Sequence, residues 1–382
     1  MESPKTNQPN RRHSLRLAIP TVVSLLFMMV LLWGFKGVTS VSADPGTLYV
    51  EGASGSDTGN CQDPAAPCQT IGYAISQTVD GDTILITGGT YTENLKITQG
   101  NAINIRGGYQ VSGSAWTPSG SEATVINGNR ADSTIEIRAD SNTILGNVTV
   151  TGGKGVYDST FGTGCGGFKI QDSDVTIRNS EIISNVAGVG MGGAICAAGD
   201  SREITLTIED SIISDNDGIE GGGALNLFHV TALLTNTLIY GNKASENDVL
   251  QVYEDVGADS HVTFQNCTIA DNNPTGQYAI QISDLNTLVI RNSIMWNNGQ
   301  NIKINDPCTN CVTVTYSDIE SGWTGTGNID EDPLFMDAAN GDYRLQKDSL
   351  CIDTGTNTGA PDSDLDQMQR PLDGDGDGTA IT

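Results

Sequence analysis

Aromatic residues make up only 5% of the 382-residue chain, histidine occurs three times, and basic residues are outnumbered 19 to 46 by acidic ones. Each scarcity excludes something. A formal net charge of −27 repels nucleic-acid phosphates and anionic lipid headgroups, so neither is an expected partner, whereas cations are attracted. One Cys-X-X-Cys is present, Cys308 to Cys311, with no second pair and no histidine nearby, so a four-ligand zinc site is not built. The repeating segments lack apolar spacings of three and four, which excludes a helical solenoid. Glycine, by contrast, is abundant at 46 residues, and a polar, Gly-rich chain favours many short strands and turns.

The N-terminus has the layout of an export signal. Arg11, Arg12 and Arg16 precede an apolar run from Leu17 to Phe35, and small residues end at Val41-Ser42-Ala43. Cleavage after Ala43 is expected, with residues 1–43 removed; the competing outcome is an uncleaved membrane anchor, because the apolar run nearly matches a bilayer. An exported chain with eight cysteines permits disulfides. Cys61 and Cys68 bracket one short loop and Cys308 and Cys311 another, and both pairs are expected to staple their loops.

Self-similarity organises the rest. Asn179, Asp210, Asn236, Asn266 and Asn292 are spaced 31, 26, 30 and 26 residues apart. Six residues after each stands another asparagine: Asn185, Asn216, Asn242, Asn272 and Asn298. Two residues before the anchors come Ile177, Ile208, Leu234, Phe264 and Ile290; three after come Ile182, Ile213, Ile239, Ile269 and Met295. The residue just before each anchor is polar throughout. This alternation predicts strand, turn, strand with one buried face. A third strand recurs at 167–170, 194–197, 224–227, 249–252, 279–282 and 301–304. Three strands per repeat of roughly 22–32 residues predict an all-β, right-handed parallel β-helix over residues 44–330, in which like residues stack on successive coils. The anchors suit the left-handed turn conformation, and their amides are expected to bond along the column. Thr70 to Thr78, with Ile71, Ala74 and Ile75 at helical spacing, predicts a short helix that caps the open N-terminal end. From about Asp330 the periodicity stops, and residues 331–382 read as a loop-rich acidic extension.

Certain segments carry a family likeness. Cys68-Gln-Thr-Ile-Gly-Tyr-Ala-Ile75, Asp80-Gly-Asp-Thr-Ile-Leu-Ile86 and Gly89-Thr-Tyr-Thr-Glu-Asn94 resemble the opening of bacterial right-handed parallel β-helix repeat proteins of the pectate-lyase-like superfamily. Asp332-Pro-Leu-Phe335, Gly341-Asp-Tyr-Arg-Leu345 and Ser349-Leu-Cys-Ile-Asp-Thr-Gly355 resemble the end of choice-of-anchor proteins. Ile183-Ser-Asn185 with Gly192-Gly-Ala-Ile195 resembles the chlamydial polymorphic outer-membrane repeat. Unlike many such proteins, the sequence ends at Thr382 with neither an apolar tail nor a cell-wall sorting signal, so truncation or another means of retention is expected.

The resemblance implies chemistry on the outer face of one parallel sheet, where enzymes of this superfamily gather carboxylates, calcium and a basic residue. The outward positions of the third strand are read as Lys169, Cys196, Asn226, Gln251, Gln281 and Lys303, a row with no carboxylate cluster. Lys169 and Lys303 lie five coils apart, about 24 Å at the spacing of paired strands, too far to share one substrate bond. The turn after that strand is richer: Phe228, His229, Tyr253, Glu254 and Asp284 offer two rings for sugar stacking and carboxylates for calcium or hydroxyls. The plain alternative is a solvated acidic turn. Asp373, Asp375 and Asp377 alternate as in a calcium loop but lack its distal glutamate, so weak calcium binding or none is expected. Cys267 is expected to be an inert buried thiol, His261 a solvated loop residue, and Cys196 an outward thiol without an activating base. The expected role is an exported, monomeric β-helix that is structural, adhesive, or binds an extracellular glycan or surface protein; the rival is a polysaccharide lyase or glycoside hydrolase.

Overall fold

The structure, a computed structural model, describes residues 45–382 except 159–163, 245–247, 254–257, 275–277, 284, 306–307, 309, 375–377, 379–380 and 382. The leader therefore lies outside the described residues, as do Glu254, Asp284, Asp375 and Asp377.

Alternating apolar residues make strands that bury one face, and a strand so short must stack on its neighbours to bury it. Among the described residues the strands gather into three long sheets of eleven, nine and eight strands; each coil of the regular repeats gives one strand to each sheet, and the antiparallel strand Ala115–Pro118 is added to the first. From coil to coil the pairing is parallel, and through the repeats it is in register. In the first sheet Ile177 lies opposite Ile208, then Leu234, Phe264, Ile290 and Val314. In the second, Ile182 is followed by Ile213, Ile239, Ile269, Met295 and Ile319. The third runs from Leu95–Ile97 to Gln300–Ile304. All of the apolar columns named here are buried in one continuous core. The chain is the right-handed parallel β-helix that the repeat predicts.

The two asparagine columns divide the work that the sequence assigned to one. Asn179, Asp210, Asn236, Asn266 and Asn292 all take the left-handed conformation, with φ between 46° and 55°. The backbone N–H groups of the first four donate to the carbonyl of the residue before the next anchor, and that of Asn292 donates to Thr315 O, all at 3.0–3.3 Å. These five do stack along one line, but a continuous side-chain ladder is not theirs. It belongs to Asn185, Asn216, Asn242, Asn272 and Asn298, all fully buried. There each Nδ2 donates to the next Oδ1, at 3.1, 2.9, 3.0 and 3.0 Å. The reason is depth. A residue at a left-handed corner points its side chain outward, whereas the residue after the second corner points inward, where an unpaired amide would be costly.

The N-terminal cap is the helix Ile71–Gln77, whose Ile71, Ala74 and Ile75 enter the core. Its free N–H groups are met by Thr70 Oγ1, which accepts from Tyr73 N at 3.2 Å, and by the Glu93 carboxylate, which accepts from Ile71 N and Gly72 N at 2.9 and 2.8 Å.

Beyond the last coil the chain folds back along the side of the solenoid instead of trailing away. A hairpin of Phe335–Asp337 and Asp342–Leu345 packs Tyr343 against Tyr240. Further on, Asn292 Nδ2 donates to Thr356 O at 2.8 Å while its Oδ1 accepts from Thr356 N at 2.9 Å. Asn236 Nδ2 donates to Ser363 O at 2.8 Å, and its Oδ1 accepts from Arg370. Two of the anchor side chains thus clasp the C-terminal segment.

Candidate functional site on the outer face of the third sheet

On a strand with apolar residues inward, the intervening residues form outward columns. One column on the third sheet runs Lys96, Glu136, Lys169, Cys196, Asn226, Gln251, Gln281 and Lys303. The row therefore begins two coils earlier than the repeat suggested, and it does contain a carboxylate. Asp158 joins it from the connection ahead of Lys169, whose ammonium lies 2.9 Å from Asp158 and 3.6 Å from Glu136. Arg138 Nε stands 2.5 Å from Glu136, and the same guanidinium also bonds Asp158. Lys96 completes the group at 3.7 Å from Glu136. Sequence reading missed this cluster because Thr134-Ile-Glu-Ile-Arg138 has the strand pattern but lacks the anchor that sets the register, and Asp158 sits in an irregular connection.

The face is not open along its length. The connections that enter the third sheet stack on one another, Lys154 beside Val186 beside Asp217 beside Lys243. Consequently Glu136, Lys169, Cys196, Asn226 and Gln251 are all at least nine-tenths buried. Cys196, expected as an outward free thiol, is instead bonded to Cys165 with Cα atoms 5.8 Å apart. Their separation of 31 residues equals one coil, so the bridge joins a connection to the strand of the coil above. Cys61–Cys68 and Cys308–Cys311 are also bonded. Cys267 lies in the core, its thiol pushed up to about 12 by burial. Cys351 is likewise pushed up to about 12 by burial and by a hydrogen bond to Asp318.

The neighbouring outward column carries Gln171, Ala198, Phe228 and Tyr253. Phe228 and Tyr253 are register partners on adjacent strands, both half-buried, so the structure brings together the two rings chosen from the sequence. The Tyr253 hydroxyl reaches back to Met191 Sδ, and burial, with the charges of Glu220 and Asp248, raises its phenol above the usual value. His229 does not join the two rings. It takes the left-handed corner, φ 54°, and its Nδ1 lies 2.8 Å from Gly199 O. His261 is exposed at the start of the strand His261–Gln265, and its Nδ1 meets Thr287 Oγ1 at 2.8 Å.

Asp248 sits under the same face. Its Oδ1 accepts from Tyr278 N at 2.8 Å, its Oδ2 is buried without a hydrogen-bond partner among the described residues, and burial raises its carboxyl above the ordinary range. Gln251 Oε1 is a second buried oxygen on this face with no hydrogen-bond partner among the described residues. In the tail, Asp373 accepts from Gly378 N at 3.1 Å. Among the described residues no three histidine, cysteine or carboxylate side chains are grouped to hold one metal ion.

No known family profile matches the chain, and no curated protein sequence does. Solved structures do. A pectin methylesterase in complex with hexasaccharide VII is 14% identical over 80% of this chain and 99% of that one, with a TM-score of 0.45. A lacto-N-biosidase from Eubacterium ramulus is 10% identical over 72% and 60%, with a TM-score of 0.41, and a pectate lyase is 15% identical over 86% and 98%, with a TM-score of 0.32.

Proposed function

We propose that this chain is an exported glycan-binding module that receives its ligand on the outer face of the third sheet, at the ring pair Phe228 and Tyr253. The observation that carries the reading is the register pairing of these two half-buried rings on adjacent strands. Strand spacing sets their Cα atoms about 4.8 Å apart, so together they offer an apolar strip long enough for a sugar ring. The three disulfides among the described residues support export, because such bridges persist in oxidising compartments. Binding without turnover is favoured because the Glu136–Asp158 pair is neutralised by a shared Lys169 and by Arg138, leaving neither carboxylate free as acid or base.

A glycan-array and degradation screen, run with and without calcium, tests this. Binding without product, weakened about tenfold (~1.4 kcal/mol) by Phe228→Ala or Tyr253→Ala, supports it. Product formation abolished by Glu136→Gln would instead make the ion cluster the working site of a hydrolase or lyase. Capture of a surface protein but no glycan would assign the face to adhesion.

A further inference from the structure

At the C-terminal end of the solenoid the three sheets do not finish alike. The first closes with the strand Val312–Thr315 and is sealed by the loop that follows: Asn328 Nδ2 donates to Val314 O at 3.0 Å, and Tyr316 N donates to Thr326 O at 2.8 Å. The second closes with Asp318–Ile319, where Ile319 N donates to Ile329 O at 3.1 Å and Ile329 N to Ser317 O at 3.0 Å. Trp323, from the same loop, packs on the end of the core. The third sheet closes with Gln300–Ile304, and among the described residues no strand pairs with its far side. Successive residues of a parallel strand turn their backbone groups alternately to one neighbour and to the other. Asn305 N donates to Ile282 O, on the preceding coil, at 3.0 Å. Ile304 and, two residues back, Ile302 therefore direct N–H and C=O to the open side, where no backbone group of the described residues meets them.

The apolar columns stop at the same edge. Leu227, Val252 and Ile282 hold the place of Ile304 on the three preceding coils and are at most 1% exposed, whereas Ile304 is 39% exposed. Ile302 is only partly buried, although its partner Ile280 is fully so. A lysine projecting from an edge strand commonly guards it against pairing. Lys303 does not: its Nζ donates to Gln281 Oε1 at 3.1 Å and stands 5.9 Å from the centre of the Tyr278 ring, both on the preceding coil. Unmet backbone groups at alternate residues, with two uncovered isoleucines between them and the core, match one kind of occupant, an extended strand with apolar residues at i and i+2. Charge separates a foreign strand from a second copy. The loop beside the edge is acidic: Glu320 O accepts from Asn301 Nδ2 at 2.6 Å, and Asp330 accepts from Ser321 N at 2.9 Å. Two copies meeting end to end would oppose these carboxylates, while basic residues flanking the apolar pair of a peptide are attracted to them.

We propose that the open edge of Gln300–Ile304 receives an extended, basic-flanked peptide segment of a partner protein as a further strand of the third sheet, its apolar pair covering Ile302 and Ile304. The assignment does not rest on the ring pair Phe228 and Tyr253. The probe is a fluorescein-labelled peptide with this chain's own third-strand sequence, Tyr278 to Ile282, flanked by lysines, titrated into the full chain and followed by anisotropy. It binds, and the same peptide with both isoleucines changed to aspartate binds about tenfold more weakly. Methylating alternate backbone nitrogens of the peptide separates strand pairing from apolar contact. One set of positions abolishes binding and the other leaves it, since only every second residue bonds the edge. Ile304→Asp, at a side chain already open to solvent, keeps the melting temperature and weakens binding about tenfold, while Phe228→Ala leaves it intact. Failure of the peptide to bind overturns the proposal, as does an equal response to the two methylated sets or undiminished binding in Ile304→Asp. Concentration-dependent dimerisation that Ile304→Asp removes would assign the edge to a second copy and overturn it as well.

Discussion

The buried amide ladder is the feature whose removal has the most predictable cost. Asn242 sits in its middle, fully buried. Its Nδ2 donates to Ile213 O at 2.8 Å, to Tyr240 O at 3.0 Å and to Asn272 Oδ1 at 3.0 Å; its Oδ1 accepts from Asn216 N at 3.1 Å and Asn216 Nδ2 at 2.9 Å. Asn242→Ala removes all five. Most of the abandoned partners keep another bond: Asn216 Nδ2 still reaches Ile182 O and Ser214 O, and Asn272 Oδ1 still accepts from Asn242 N. The Asn216 backbone N–H does not, because Asn242 Oδ1 is the acceptor it uses. An orphaned buried donor costs about 1–3 kcal/mol, and the further lost bonds bring the total to about 3–5 kcal/mol. Asn266, by contrast, is an anchor at a left-handed corner, where glycine is equally at home, so Asn266→Gly is expected to cost under about 1 kcal/mol. Urea unfolding followed by circular dichroism measures both. An Asn242→Ala loss below about 1 kcal/mol, or one smaller than that of Asn266→Gly, would refute the claim that the inner column, not the anchors, holds the coils together.

Other consequences are as direct. Burial raises the Asp248 carboxyl, so its neutral form is the one the fold favours. Its stabilising contribution is complete below the unfolded carboxylate range and is lost as pH rises through the higher folded value. Asp248→Asn, which keeps an acceptor for Tyr278 N, is therefore expected to raise the melting temperature at neutral pH, with the gain shrinking in acid. Mass mapping without reductant should recover the Cys165–Cys196 peptide pair, and Cys165→Ser with Cys196→Ser should cost about 3–4 kcal/mol from the entropy of the 31-residue loop. Cys267 and Cys351 should resist alkylation until the chain unfolds, since both thiols are pushed up to about 12. Asn292→Ala releases both bonds to Thr356, about 2 kcal/mol, and limited proteolysis should then cut the C-terminal segment about 30-fold faster with the solenoid intact.

The alternation around Asn179, Asp210, Asn236, Asn266 and Asn292 was enough to place strands, register and buried columns, because a period of two reports which side of a strand is dry, and that is a local property. The same alternation put Phe228 and Tyr253 on neighbouring coils, since equal positions in successive repeats must stack. It could not say which asparagine column faces inward, because that depends on where two left-handed corners fall within the closed coil. Nor could it find Asp158 beside Glu136 and Lys169, or Cys165 beside Cys196. These partners arrive from connections of irregular length, whose paths are set by what they pack on. The C-terminal segment has no period at all. Its place along Asn236 and Asn292 was decided by the finished solenoid, which offers polar side chains at a fixed spacing for the returning backbone to bond. Sequence determined the coil; contacts between parts distant in the chain determined what covers each face and which charges meet.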